Sequence, residues 1–317
     1  MIDINTLLFY ILLFGALSLP GFFLGKLKLL GDNSVKHFTV LLTNVAMPAL
    51  VLSCLLKTDL RALELTELLC AALLPIALCL ALWLICSLCF RRTERTKKAA
   101  ASFCCIFPNC GFLGIPLANV LFPDNAKVSA LVAIFNVFSS FMLLTLGIYI
   151  LSGDKKHVKP LGILVKPVTI ALAVGLTLSL LGVAESVPAV TQYAEILAAL
   201  TTPLSMLVLG IQLSSFKFKE LFLTPQLYSA SAIRLLVSPF LSMGVLMLLR
   251  AVGVDISIEL ASAIFISTGV STAATASAMA QGNGADGRHA ALLTLGSTVL
   301  CAFTLPLLSL LFGLFFN

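Results

Sequence analysis

The chain has 317 residues, 60% of them hydrophobic and only 11% charged, with a mean hydropathy of +1.09. A soluble domain carries about 25% charged residues, so this composition excludes one and points to an all-α integral membrane protein. The net charge of +6 is a topology signal rather than the footprint of a nucleic-acid binder, because of where the basic residues fall.

In chain order, apolar runs long enough to cross a ~30 Å hydrocarbon core are predicted near 6–30, 37–56, 66–90, 99–122, 127–151, 162–182, 189–213, 226–250, 257–280 and 288–315. These ten runs are continuous rather than alternating, which excludes a transmembrane β-barrel. The first lacks a basic leader (Met1-Ile2-Asp3-Ile4-Asn5) and a small-residue cleavage site, so it reads as a retained helix and not a signal peptide. The loops between runs are short and leave no segment for a soluble domain. Numbered alternately, one set of loops holds Lys26, Lys28, Lys36, the cluster Arg91–Lys98, Lys155, Lys156, Lys159, Lys166, Lys217, Lys219 and Arg288. The other set holds only Lys57, Arg61, Lys127 and Arg250. The positive-inside bias puts the first set in the cytoplasm and both termini outside. Arg234 alone stands inside a run; it is expected to snorkel to the cytoplasmic face, or else to lend charge to an inward-open vestibule.

Span four is interrupted by Pro108-Asn109-Cys110-Gly111-Phe112-Leu113-Gly114-Ile115-Pro116. Proline lacks a donor and clashes with the preceding turn, and glycine is a weak helix former. In hydrocarbon the freed backbone groups must be satisfied by protein or by a water-lined cavity, so such a break marks a buried site. Span nine carries a second weak stretch, Ser267-Thr268-Gly269-Val270-Ser271-Thr272-Ala273-Ala274-Thr275, although small and hydroxyl residues also serve close helix packing. Cutting the chain at its basic central loop gives residues 1–152 and 167–317, five spans each, joined by a short cytoplasmic linker 153–166. An odd number of spans per half implies inverted topology. Pro48 in span two echoes Pro203 in span seven, and the two breaks fall at corresponding places.

Nothing supports catalysis: acidic residues and His37, His157 and His289 lie in loops or near helix ends, without metal-ligand spacing or a nucleophile–base pair. Cys86 and Cys89 have redox or metal spacing, but with no second pair they read as packing residues. No cofactor is implied, and coupling to Na+ or H+ is left open. The absence of midplane carboxylates disfavours a cation/proton exchanger, unless Glu195 reaches inward. The interior instead offers amides, hydroxyls and backbone. Asn109, Cys110, Gly111, Asn136, Gly269, Ser271 and Thr272 are the expected substrate contacts; Pro108, Gly114, Pro116 and Gly269 form the breaks. Asn44, Pro48, Pro203, Gln212 and Arg234 are expected in support. Half-helix N-termini facing such a site carry partial positive charge, which suits an organic anion better than a bare cation.

The segments Asn44-Val45-Ala46-Met47-Pro48-Ala49-Leu50 and Asn109-Cys110-Gly111-Phe112-Leu113-Gly114-Ile115-Pro116, Arg234 before Pro239, and the stretch ending Ala280-Gln281-Gly282 together resemble the auxin efflux carrier family. That family comprises the plant PIN exporters and bacterial relatives described as malate or malonate permeases. The resemblance implies two inverted five-helix repeats divided into a scaffold and a transport domain, with spans four and nine crossing in the latter. It also implies elevator-like transport of small organic carboxylates. The family pattern often has proline at the span-nine break, where this chain has Gly269, and the long cytoplasmic loop of plant members is absent. The short loops suggest a bacterial inner-membrane protein with a small organic anion and the lipid bilayer as partners, no nucleic acid, and room for a homodimer through the scaffold. The rival readings are a sodium-coupled organic anion symporter of the bile-acid type and a non-transporting membrane sensor or scaffold.

Overall fold

The computed structural model describes residues 3–157, 162, 164–182, 186 and 188–316; part of the linker 153–166, including Lys159, lies outside them. The described residues are helical throughout, apart from loops and one isolated β-bridge. Seven helices are long and apolar enough to cross a membrane: Ile4–Lys26, Asn33–Leu56, Leu65–Cys89, Ala126–Ser152, Pro188–Ser214, Pro225–Ala251 and Gly287–Phe316. The expected spans near 99–122, 162–182 and 257–280 are represented by shorter apolar helices, Cys110–Leu121, Pro167–Leu180 and Ile258–Gly269. The first and last of these are halves of interrupted spans.

The helices are α1 (Ile4–Lys26), α2 (Asp32–Leu41), α3 (Met47–Leu56), α4 (Leu65–Cys89), α5 (Arg95–Ile106), α6 (Ile115–Leu121), α7 (Ala126–Met142), α8 (Ile148–Ser152) and α9 (Pro167–Leu180). They continue as α10 (Pro188–Ala198), α11 (Thr201–Ser214), α12 (Phe218–Phe222), α13 (Pro225–Ala232), α14 (Ser238–Ala251), α15 (Ile258–Gly269), α16 (Ala276–Gly282) and α17 (Gly287–Phe316). Several spans bend without breaking. A wide π turn joins α2 to α3 (Leu42–Ala46), leads into α6 (Cys110–Gly114) and joins α13 to α14 (Ile233–Val237). In each, the residue before a proline donates five residues back: Met47 to Leu42, Ile115 to Cys110, Ser238 to Ile233. Pro48, Pro116 and Pro239 explain the pattern. A proline cannot donate and its ring crowds the preceding turn, and one extra residue per turn relieves that crowding. Pro116 and Gly114 therefore sit inside a continuous helix that starts at Cys110, and the true interruption is Phe107–Asn109. Within the single span Pro188–Ser214, a turn at 199–200, just before Pro203, separates α10 from α11.

The helices pack in pairs. α1 lies along α11 and α9 along α3; α4 lies on α7 and α13 on α17; α15 lies on α7 and α5 on α17. The α1–α11 contact is the closest. A Cβ at Gly21 would lie 2.1 Å from the Leu207 carbonyl oxygen, and one at Gly210 would lie 2.0 Å from that of Ser18. Backbone touches backbone there, which is the packing that small residues permit where no hydrophobic effect drives helices together.

At the end of the bundle where α4, α7 and α15 begin, Glu67 is buried (side chain 2% exposed) and pairs with Lys127 at 2.7 Å. Its carboxylate also accepts from the Glu64 N–H at 3.1 Å and from the Ser257 hydroxyl, which caps α15 through the Leu260 N–H. Removing one partner of such a pair leaves a buried charge uncompensated. Glu67→Gln or Lys127→Met alone is expected to cost about 3 kcal/mol and to lower the thermal midpoint in detergent. The double variant should recover part of that loss; a double variant as unstable as the sum of the two would refute the coupling. Glu195, the one carboxylate considered for an inward role, instead pairs with Lys57 at 2.5 Å, and both side chains are exposed.

Candidate functional site

α5 ends at Ile106 and the chain runs extended through Phe107 to Asn109 before the helix restarts at Cys110. α15 ends at Gly269, Val270 is extended, and helix resumes at Ala276. The two interruptions lie against each other as an antiparallel bridge between Pro108 and Thr272. The Asn109 N–H donates to Ser271 O at 2.7 Å, and the Ala273 N–H donates to Phe107 O at 2.9 Å. Each break thus satisfies backbone groups that the other leaves free, as burial away from water requires. Side chains fasten the contact. The Thr272 hydroxyl donates to Cys104 O at 2.8 Å, the Ser297 hydroxyl accepts from the Thr272 N–H at 3.4 Å, and Thr298 donates to the Ser271 hydroxyl at 3.1 Å.

Beside this bridge is a cavity of about 320 Å³, at the lower end of the ~300–1,000 Å³ range of small-molecule sites. Asn44, Pro108, Asn109, Gly111, Asn136 and Thr275 line it, from four different helical segments. Asn136 is 6% exposed. Neither its side chain nor that of Asn109 has a hydrogen-bond partner among the described residues, so both are free to bind a ligand. Asn44 spends its amide nitrogen on Val40 O at 2.8 Å and keeps its oxygen. Gly111 is what gives Asn136 room: a Cβ there would lie 3.1 Å from Asn136 Oδ1 and closer still to Met47 Cε. Among the described residues the lining contains no acid, and its one charged residue is Lys166 at the start of α9. A second, more apolar cavity of about 290 Å³ lies on the other side of Asn109, Phe112 and Ala274, between α1, α11 and α17.

The expected site residues therefore divide. Asn109, Gly111 and Asn136 converge on the cavity, with Pro108 and Asn44. Cys110, Ser271 and Thr272 are buried beside it and bond within the protein; the Cys110 thiol points at Val132 O, at 3.7 Å. Gly269 ends α15, where its carbonyl faces the Cys301 thiol at 3.5 Å. Pro48, Pro203 and Gln212 line neither cavity. Span nine contributes Ala273, Ala274 and Thr275 instead. Thr275 is one of the span-nine hydroxyls, whereas Lys166 went unselected because it belongs to a basic loop with an ordinary explanation of its own. The snorkelling expected of Arg234 does not occur. Arg234 is 1% exposed, because backbone carbonyls at the ends of α5 and α15 hold its guanidinium inside the bundle.

Several membrane-spanning helices and a ligand-sized cavity at paired backbone breaks define a multi-pass membrane protein of the transporter class. Residues 11–309 match the family model of membrane transport proteins, and the chain belongs to that family, which is one of transporters and not of enzymes. It is similar to the uncharacterized transporter YfdV of Escherichia coli, 24% identical over 217 residues that cover 64% of this chain and 67% of the relative. It is also similar to an uncharacterized transporter of Methanothermobacter thermautotrophicus, 24% identical over 301 residues, 92% of this chain and 94% of that protein. The resemblance drawn from the motifs holds at the level of the family.

Proposed function

We propose that the chain carries small organic carboxylates across the cytoplasmic membrane by elevator-type alternating access, with the ligand held where spans four and nine meet. The observation that carries this reading is the cavity itself. It offers, among the described residues, unpartnered amides from Asn109 and Asn136, the start of the helix Cys110–Leu121, and Lys166 as its one charge. A pocket of donors and one cation without an acid favours a carboxylate over a metal cation or a proton relay.

Ten spans in two inverted repeats, residues 1–152 and 167–317, fit the matching helix pairs. In that scheme the α1–α11 pair is the counterpart of α9–α3, and α5 on α17 is the counterpart of α15 on α7. Spans one, two, six and seven then form the scaffold, and the others form the body that carries the bridge. If the basic loops face the cytoplasm and both termini lie outside, as this scheme has it, the end of the cavity lined by Lys166, Leu143 and Leu144 opens toward the cytoplasm.

The test is uptake into proteoliposomes of labelled malonate, malate, succinate and indole-3-acetate, with and without Na+ and a pH gradient. Saturable uptake of at least one is expected. Binding without flux would replace this reading with a sensor, and strict dependence on Na+ would replace it with the bile-acid-type symporter.

A further inference from the structure

Arg234 is the largest fully buried side chain among the described residues, and it sits at the π turn between α13 and α14. Its Nη1 donates to Cys105 O at 3.4 Å and Ile106 O at 3.0 Å. Its Nη2 donates to Thr268 O at 2.5 Å and the Ser238 hydroxyl at 2.8 Å. No acidic side chain pairs with it among the described residues. Its counter-charge is therefore backbone: Cys105 and Ile106 are the last residues of α5, and Thr268 is the penultimate residue of α15.

Each helix C-terminus acts as roughly half a negative charge. The two that end at the bridge amount to about one, which is what a single guanidinium neutralises. With both negative ends balanced, the positive features left around the cavity among the described residues are the N-terminal end of Cys110–Leu121 and Lys166. Without Arg234, two carbonyl-rich ends would face the same few residues of extended chain, and the site would favour a cation. We propose that Arg234 is a positioning residue that sets the sign of charge the cavity accepts, without touching the ligand. It also pins the two half-helices at one point, so that Phe107–Asn109 stays paired with Ser271–Ala273. The proposal rests on reading this cavity as the ligand site and deepens that reading.

A thiol placed at the cavity reports the local potential without any substrate. In Asn109→Cys, the reaction rates with sulfonatoethyl methanethiosulfonate (anionic) and trimethylammonioethyl methanethiosulfonate (cationic) are compared, each divided by its rate with 2-mercaptoethanol. The unsubstituted chain gives the background from its nine native cysteines. The anionic reagent is expected to be favoured. Adding Arg234→Gln, whose amide still donates to carbonyls, should move the ratio about tenfold toward the cation. Adding Arg234→Lys should leave it near the parent value. A role confined to hydrogen bonding would change stability in both and the ratio in neither, and an unchanged ratio in Arg234→Gln overturns the proposal. If that variant fails to assemble, the Asn109→Cys parent decides by itself, and preference for the cationic reagent there overturns it. Absence of carboxylate binding beside an anion-favouring ratio would sink the carboxylate reading alone.

Discussion

Asn109→Ala is expected to abolish carboxylate flux while the protein still inserts and purifies as the wild type does. The Asn109 side chain has no partner among the described residues, and its structural contribution, the N–H bond to Ser271 O at 2.7 Å, belongs to the backbone and survives the substitution. Little folding energy is therefore at stake. A hydrogen bond to a charged group contributes about 1.5–3 kcal/mol, so affinity should fall by about ten- to a hundredfold. Asn109 also lines both cavities, and its loss removes a contact that would persist if the ligand were reached from either side. The measurement is a thermal-shift titration with the best-binding carboxylate, followed by uptake in proteoliposomes. Wild-type affinity in Asn109→Ala would remove this residue from the site.

Gly210→Val is expected to have the opposite profile, a failure of assembly without any direct effect on the cavity. The new Cβ would lie 2.0 Å from Ser18 O and 2.7 Å from Phe22 N. Those are backbone atoms in the middle of α1 and cannot swing aside as a side-chain tip can. α1 and α11 would have to separate along their whole contact, in a medium where close packing is what holds helices together. A loss of more than about 4 kcal/mol is expected, the range of severe overpacking and strain. It should be visible as aggregated material in detergent chromatography. Gly244→Val is the control, because a Cβ at Gly244 meets nothing within 4 Å. Equal behaviour of the two variants would show that the α1–α11 contact is not essential.

Much of this architecture was legible in the residues, and specific features explain where legibility ended. The break in span four announced itself because Pro108, Gly111, Gly114 and Pro116 violate helix rules within nine residues. Yet three of those four, Gly111, Gly114 and Pro116, lie in a helix that simply widens by one residue, a tolerance that local propensity cannot reveal. Pro203 shows the milder outcome: one proline in an apolar run usually bends a helix and does not end it, and Pro188–Ser214 remains one span. In span nine the hydroxyls of Ser271 and Thr272 drew attention as ligand groups. Which way a hydroxyl points depends on its neighbours, and here the Cys104 carbonyl takes the Thr272 hydroxyl while Thr298 donates to that of Ser271, so that both fasten the bridge.

Composition, run length and charge placement by themselves determined a multi-pass α-helical membrane protein with two weakened spans, since these follow from hydrophobic thickness and backbone chemistry alone. Only the tertiary structure decided that the two breaks pair with each other, that Asn109 and Asn136 face one cavity while Ser271 and Thr272 do not, and that Arg234 stays inside. A lone arginine in an apolar run should escape to the membrane surface unless something replaces its water. The carbonyl ends of α5 and α15, more than a hundred residues apart in the chain, replace it only once the fold has brought them together.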